Sequence, residues 1–503
     1  MASLVSVART NALLAPIGTV LAIGASILVA RWLGPENYVD YATVLSILSW
    51  LVLLGETGCN VGLQRYLAEA GVAHARRRLY DVLGWRRWGI VLLLALGLTA
   101  FGPIWAAHVP LPADRWGYWT FAIIGVLAGV MLQGQLATSA LFASFRHVRA
   151  ITVANAMTIL RAAALGAVCV YFSEPLALLA ALLVVACLEA SLLHASAVKV
   201  FDDERSPLPS GMANAAQRHG LVGLVDKVST ALTGSSFLIL ALASFHGRAE
   251  IAVFAIATDM LQKLLAILLL PITNLVLPML NDSRNDRERF VRQVERLGGG
   301  VVIISALAAG GVAAGIPVGL PLLFGNAYAG AVPIALLWLA PMFIEAVTRM
   351  IWGAALLTLD QRRWLLWFNV ASGALSLLVV FAVAQAELLV VVIVIGLFRV
   401  TMSAVVLRRA AKSGLLPAGS RPLRIAMVAA TALALSCIGQ FALAEAAPLW
   451  RLVVGLCIYG ITIAAALHFL PLIPDRSHEA LRQLAGRYGP LFARLVPRYQ
   501  TQE

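Results

Sequence analysis

The feature that most limits this chain is an apolar run of about membrane-spanning length, repeated with little more than a loop between copies. Val91 to Leu98 and Leu388 to Ile395 are apolar on every side. Hydrocarbon offers no partner to a backbone N–H or C=O, so such a segment must satisfy its own by winding into a helix. A β-barrel would need alternating strands of about ten residues, and that alternation is missing. Spans are read near 11–30, 41–62, 88–108, 119–141, 150–172, 176–198, 220–243, 249–272, 299–323, 331–358, 365–385, 387–407, 424–444 and 449–470. Each approaches the ~20 residues that a bilayer core requires. The fold class expected is therefore all-α, a polytopic membrane protein of about 14 transmembrane helices. Composition agrees: 61% of residues are hydrophobic and 13% charged, against roughly 45–50% and 25% in soluble domains. A soluble enzyme, a disordered scaffold and a secreted disulfide module are excluded.

The basic residues orient the bundle. Of 38 Lys and Arg, 29 fall in segments on the N-terminal side, including Arg76, Arg77, Arg78, Arg86 and Arg87. Four fall opposite: Arg31, Arg115, Arg248 and Arg451. Positive charge marks the cytoplasmic face, so both termini are expected in the cytoplasm of a bacterial inner membrane. The first apolar run reads as a span, not a cleavable signal. The net charge of +13 fits loops beside anionic lipid, at ~1 kcal/mol per residue, and implies no nucleic acid.

No catalytic constellation is present. GxxxxGK[ST], HExxH and GxSxG are absent. The five cysteines lie in or beside apolar spans, with no CxxC and no metal-ligand spacing, so they read as buried small apolar residues, and no metal or cofactor is expected. Asp202, Asp203 and Glu204 read as part of a solvated linker. The outward loops are short, which argues against a membrane glycosyltransferase or polymerase. A helical bundle without visible chemistry favours transport.

The chain also repeats itself. At an offset of 213, Ala30, Gly34 and Ala42 match Ala243, Gly247 and Ala255, and Tyr41 matches Phe254 in kind; Asn155 echoes Asn369 at 214. Spans six apart share an orientation, which suggests parallel halves with the substrate path between them. The expected organisation is a six-helix lobe over 1–198, a cytoplasmic linker over 199–218, and a second six-helix lobe over 219–407. A further helix pair follows over 408–470, with a basic loop before it, and then a cytoplasmic tail over 471–503. In the tail Leu481, Leu484, Tyr488, Leu491 and Leu495 recur at helical spacing among Arg482, Arg487, Arg494 and Arg498, suggesting an amphipathic helix on the inner leaflet.

Three segments carry a resemblance. Ala30-Arg31-Trp32-Leu33-Gly34-Pro35-Glu36-Asn37-Tyr38 resembles the A-R-x-L-G-P-x-x-Y/F-G signature of polysaccharide and O-antigen flippases, with Val39 where the signature has Gly. Gly58 to Arg65, followed by Tyr66-Leu67-Ala68, resembles the ending of that family's second helix. Leu323-Phe324-Gly325-Asn326-Ala327-Tyr328 resembles its entry to span 10. The resemblance covers most of residues 10–410. It implies a two-lobed, V-shaped exporter bundle of the superfamily that also holds multidrug exporters and the lipid II flippase. It implies a cargo of polyprenyl-diphosphate-linked oligosaccharide for exopolysaccharide or O-antigen synthesis, and no ATPase. Its partners would be that lipid-linked substrate, inner-membrane lipid, and polysaccharide polymerase and export machinery.

Charge within a span costs at least ~2.5–3.5 kcal/mol at the bilayer centre, so each such residue is a functional candidate. The cations are Arg161, Lys227, Lys263, Arg349 and Arg399, read as a cationic cleft for the substrate. The candidate coupling acids for a proton or sodium gradient are Glu56, Asp226, Asp259 and Glu345, with Glu189 also nearby. Asp259 with Lys263, and Glu345 with Arg349, have i,i+4 spacing and share a helix face; local neutralisation is the competing account. Lys227 lies near the inner end of its span, where snorkelling competes. Arg161 and Arg399 have no acid within four residues. The alternative function is a cation-coupled exporter of drugs or metabolites on the same scaffold.

Overall fold

The computed structural model describes residues 2–72, 74–106, 113–144, 146–172, 176–201, 206–283, 286–359, 361–415, 421–443 and 445–469. The acidic cluster at 202–204 and the amphipathic tail lie outside them. Every regular element among the described residues is helical. The elements are α1 (Ala2–Gly55), α2 (Cys59–Val72), α3 (Arg76–Ala106), α4 (Ala113–Ala143), α5 (His147–Tyr171), α6 (Leu176–Val200), α7 (Met212–Ala231) and α8 (Ser235–Leu242). They continue with α9 (Arg248–Asp282), α10 (Arg287–Phe324), α11 (Ala331–Thr348), α12 (Ala354–Thr358), α13 (Arg362–Val383), α14 (Leu388–Lys412), α15 (Arg421–Ala442) and α16 (Pro448–Phe469). Ten of the described helices are long and apolar enough to cross a bilayer, or eleven if α7 and α8, bent by 57°, form one broken span. In that count α1, which bends at Gly34, is a single helix.

The chain forms two compact units. One runs from Met1 to Lys263 and takes in Phe368–Ala386; the other takes in Leu264–Trp367 and Glu387 onward.

In the first unit, α1 leaves helical geometry at Gly34 (φ 67°, ψ 170°). Glycine tolerates that conformation, and Pro35 after it disfavours helix at position 34. Arg248, at the start of α9, donates to the Glu36 carbonyl at 2.7 Å and to the Asp40 carboxylate at 2.6 Å. Gly247, the repeat partner of Gly34, stands just before that arginine, in the turn between α8 and α9. The two turns related by the 213-residue offset are thus bonded to each other.

Small residues let α2 and α7 meet backbone to backbone. A Cβ on Gly58 would sit 2.1 Å from the Gly220 carbonyl carbon, and one on Gly62 would sit 2.2 Å from the Ala216 oxygen. In lipid, where apolar burial drives little association, close packing of this kind holds helices together. Behind it, Leu63, Leu67, Leu79, Leu83, Leu136, Leu193 and Phe201 form a buried core between α2, α3, α4 and α6.

In the second unit, Asp286 caps α10 by accepting from the Arg289 N–H at 3.0 Å. Gly325 ends that helix with φ 98°, and Phe324 and Tyr328 stack edge to face across it at 6.3 Å. The Phe-Gly-x-x-Tyr pattern is therefore a helix stop locked by two buried rings. Polar bonds staple α15 and α16 to α10: Gln440 Nε2 donates to the Ala314 carbonyl at 2.5 Å and Tyr459 Oη to that of Leu307 at 2.9 Å. All five cysteines are free. Cys59 is buried, but Cys187, Cys437 and Cys457 are exposed on the helix surfaces, where bilayer-facing positions accept small apolar residues as readily as a core does.

Candidate functional site

The first unit holds a charged cluster at a break in the second apolar span. Helix α1 ends at Gly55 and α2 begins at Cys59. Between them Thr57 and Gly58 both have positive φ, 46° and 75°. A broken helix at membrane depth leaves backbone groups that only a buried polar environment can satisfy. Arg87 supplies part of it. It is 1% exposed, and its guanidinium donates to the Leu132 carbonyl at 2.5 Å, Asn60 Oδ1 at 2.8 Å and the Glu56 carbonyl at 3.4 Å. The sequence places Arg87 in a cytoplasmic loop, which the structure corrects. Leu79, Leu83, Arg87 and Val91 share one buried stripe of α3, so Arg87 faces the core while Arg86 donates to Gln217 at 2.9 Å.

Glu56 sits at that break, 5% exposed. Both its carboxylate oxygens accept from Lys227 Nζ, at 2.6 and 2.7 Å. Lys227 therefore does not snorkel away to the interface; its ammonium is drawn to a buried carboxylate 171 residues earlier. Next to it, Asp226 accepts from Asn369 Nδ2 at 2.5 Å. Helix α13 reaches α7 this closely because Gly373 lies against Ser229, where a Cβ would come within 2.8 Å of the carbonyl oxygen. Asn155, the repeat partner of Asn369, has no matching bond to its side-chain Nδ2 among the described residues.

The same unit holds two further pairs. Asp259 and Lys263 bond at 2.6 Å, as their spacing predicts, and Lys263 also reaches Ser26 on α1. Arg161, which has no acid nearby in sequence, is paired after all: Glu189 on α6 accepts from it at 2.8 Å. Each of these cations has its own carboxylate.

The second unit differs. Glu345 on α11 serves two guanidinium groups, Arg349 at 3.0 Å through one oxygen and Arg399 on α14 at 3.3 Å through the other. Arg399 thus does not stand alone. It is 8% exposed, and its guanidinium lies over the Trp338 ring at 4.6 Å. A desolvated contact of that kind contributes about 2 kcal/mol or more, offsetting much of the cost of a second cation. Gly396 makes the approach feasible, since a Cβ there would be 3.0 Å from Pro341. The cluster lies on the half of α11 that carries Trp338, away from the exposed stripe of Leu337 and Ile344. A π turn, Arg349–Gly353, begins at the cluster; such bulges concentrate at functional sites. Taken by themselves, the two guanidinium groups and the one carboxylate sum to a single positive charge.

Among the described residues no group of His, Cys, Asp and Glu is arranged to hold a metal ion. The profile of the polysaccharide biosynthesis protein family matches residues 10–283, more than half of the chain. The chain belongs to the polysaccharide biosynthesis protein family. This bears out the resemblance carried by the Gly34-Pro35 segment and by Gly58 to Ala68, both inside the matched residues; Leu323 to Tyr328 lies beyond them. No curated protein matches it. Its fold is shared with the lipid II flippase MurJ in an inward closed conformation, at a TM-score of 0.72 and 10% identity over 90% of this chain and 97% of that one. It is shared also with an inward-facing MATE multidrug transporter of the MOP superfamily, at 0.58 and 15% identity over 79% and 95%. A MOP superfamily transporter from Pyrococcus furiosus scores 0.55 at 13% identity over 82% and 96%. At such identities the likeness is one of fold. The all-helical class expected from the sequence holds, and the fold is the one these transporters share.

Proposed function

We propose that the chain is a flippase that carries polyprenyl-diphosphate-linked oligosaccharide from the cytoplasmic to the outer leaflet of a bacterial inner membrane, for exopolysaccharide or O-antigen synthesis. The observation that carries this reading is the pair of arginines sharing Glu345, in a chain of the polysaccharide biosynthesis family. Flipping takes a diphosphate through a low-dielectric region, and an unpartnered anion is prohibitive there. Arg349, partly exposed, would meet the phosphate oxygens, for which its planar fork is suited. Arg399, held by Trp338 and Glu345, would keep Glu345 from neutralising Arg349 fully. Arg161, Lys227 and Lys263, each with its own acid, would meet the cargo only by exchanging partners, and Glu56, Asp226, Asp259 and Glu345 would be where a proton or sodium ion enters that exchange. The polymerase and export machinery would receive the product.

The test is genetic. Deleting the gene should make lipid-linked glycan accumulate in the inner leaflet, wild type should relieve it, and Arg349→Gln should relieve it at least tenfold less at equal membrane abundance. An unchanged lipid-linked pool together with new drug sensitivity would replace this reading with the drug-exporter one.

A further inference from the structure

Tyr80, Gln133 and His194 meet inside the first unit, on α3, α4 and α6, and take no part in either charged cluster. Tyr80 is 1% exposed. Its hydroxyl lies 2.8 Å from His194 Nδ1, and the two rings are 5.6 Å apart. Gln133 Nε2 is 3.4 Å from the hydroxyl and 3.4 Å from Nδ1. An ionisable side chain inside so apolar a helix is a functional candidate by default.

The hydrogen bonds of this group are unbalanced. In a neutral imidazole that receives the Tyr80 O–H and the Gln133 N–H, Nδ1 is an acceptor. Gln133 Oε1 is then idle: it is buried and has no hydrogen-bond partner among the described residues. A second proton on His194 changes the count. It adds to the Nδ1 lone pair, Nδ1–H donates to the Tyr80 oxygen, and the Tyr80 proton must find a new acceptor. A half turn of the Gln133 carboxamide presents Oε1 to it and carries the amide hydrogens to the position that Oε1 leaves, so the gain of an acceptor is set against the loss of the Nε2 contacts. The protonated state needs one acceptor more than the neutral state uses, and the structure already holds it in reserve.

The surroundings suit a proton that comes and goes. The charges acting on His194 are Arg77 and Asp81 on α3, and they neutralise each other at 2.9 Å. Helix α4 has no charged residue over Thr120–Ala143. On α6, Glu189 is bound to Arg161 and Lys199 lies in the last turn. Arg149 of α5 donates to Ser196 at 2.8 Å, and α2 carries Arg65 and Glu69. Among the described residues no carboxylate hydrogen-bonds to His194, and the nearby Asp81 is held by Arg77. Tyr80 is one turn in from Arg76 and His194 less than two turns in from Val200, helix ends that the basic residues assign to the cytoplasmic side.

We propose that Tyr80, Gln133 and His194 form a proton-binding site that couples a proton gradient to transport. The coupling half rests on the transporter reading above; the proton-binding half does not. Full-length protein with 15N-labelled histidine, in lipid nanodiscs, gives the imidazole nitrogen shifts as a function of pH, with His194→Gln to assign the signal. The His194 signal should pass from neutral imidazole to imidazolium within the range where histidine acts as a switch. At the pH where half the wild type is protonated, Gln133→Leu should leave about a tenth protonated, the effect of leaving the buried Tyr80 O–H without an acceptor in the protonated state. Gln133→Met gives the same comparison should the leucine variant fail to insert. In cells, glycan export by His194→Gln should respond less than wild type to an uncoupler of the proton gradient. A His194 signal that never changes, or Gln133 variants that titrate with wild type, would overturn the site. The nitrogen signals need no cargo, so the site stands or falls separately from the glycan reading.

Discussion

The Glu56–Lys227 pair makes an asymmetric prediction. Glu56 is 5% exposed, whereas the Lys227 side chain is 43% exposed. Lys227→Met leaves an ionised carboxylate buried beside the helix break; Glu56→Gln leaves an ammonium that still reaches solvent or headgroups. Breaking a fully buried pair by removing one partner costs about 3–5 kcal/mol. Exposure of the lysine screens part of this, so we expect about 2 kcal/mol for Lys227→Met and under half of that for Glu56→Gln. At about 2–4 °C per kcal/mol for a domain-sized unit, Lys227→Met should lower the unfolding midpoint by roughly 4–8 °C. The double variant should sit above Lys227→Met alone, because its buried charge is gone. Thermal unfolding of the four proteins in one detergent, followed by tryptophan fluorescence, measures this. Equal losses for the two single variants, or a double variant as poor as their sum, would refute the claim that burial of the acid decides the energetics.

Other variants probe other parts of the account. Glu345→Gln should lower the midpoint by more than Arg349→Gln does, since it strands the buried Arg399, and adding Arg399→Leu should recover part of the loss, as thermal scans of the three will show. Arg87→Leu should cost about 3 kcal/mol, because the buried Leu132 carbonyl and Asn60 Oδ1 lose their donor, and should expose Cys59 to thiol labelling in folded protein. Gly58→Ala, whose Cβ would lie 2.1 Å from Gly220, should reduce membrane abundance, whereas Gly24→Ala, with nothing within 4 Å, should not; quantitative blotting separates the two.

What the sequence reveals about this fold follows from what is local. Apolar runs and their flanking charges are properties of one helix at a time, and they yielded the helical class and segments that coincide with helices. The pairs Asp259–Lys263 and Glu345–Arg349 lie one turn apart on a single helix and were legible for that reason. Glu56–Lys227, Arg161–Glu189 and Arg399–Glu345 join different helices, and helix periodicity carries no information about which helices touch. Arg87 was legible in principle. It continues the Leu79–Leu83 stripe to Val91, but the neighbouring run of arginines masks that register. The break at Thr57-Gly58 was hidden because the residues around it are apolar enough to continue a span. The idle Gln133 oxygen has no sequence signature, because it depends on where three helices place three side chains.

The central claim is movement of a diphosphate-linked glycan between leaflets, and reconstitution tests it most directly. Purified protein in liposomes, with a fluorescent polyprenyl-diphosphate oligosaccharide in both leaflets, is exposed to a membrane-impermeant quencher. The account predicts rapid loss of about half the signal followed by a slow loss of the remainder as inner-leaflet lipid is brought out, with Arg349→Gln slowing the second phase at least tenfold. A protected inner-leaflet pool that stays the same with and without wild-type protein, under an imposed proton or sodium gradient, would contradict it.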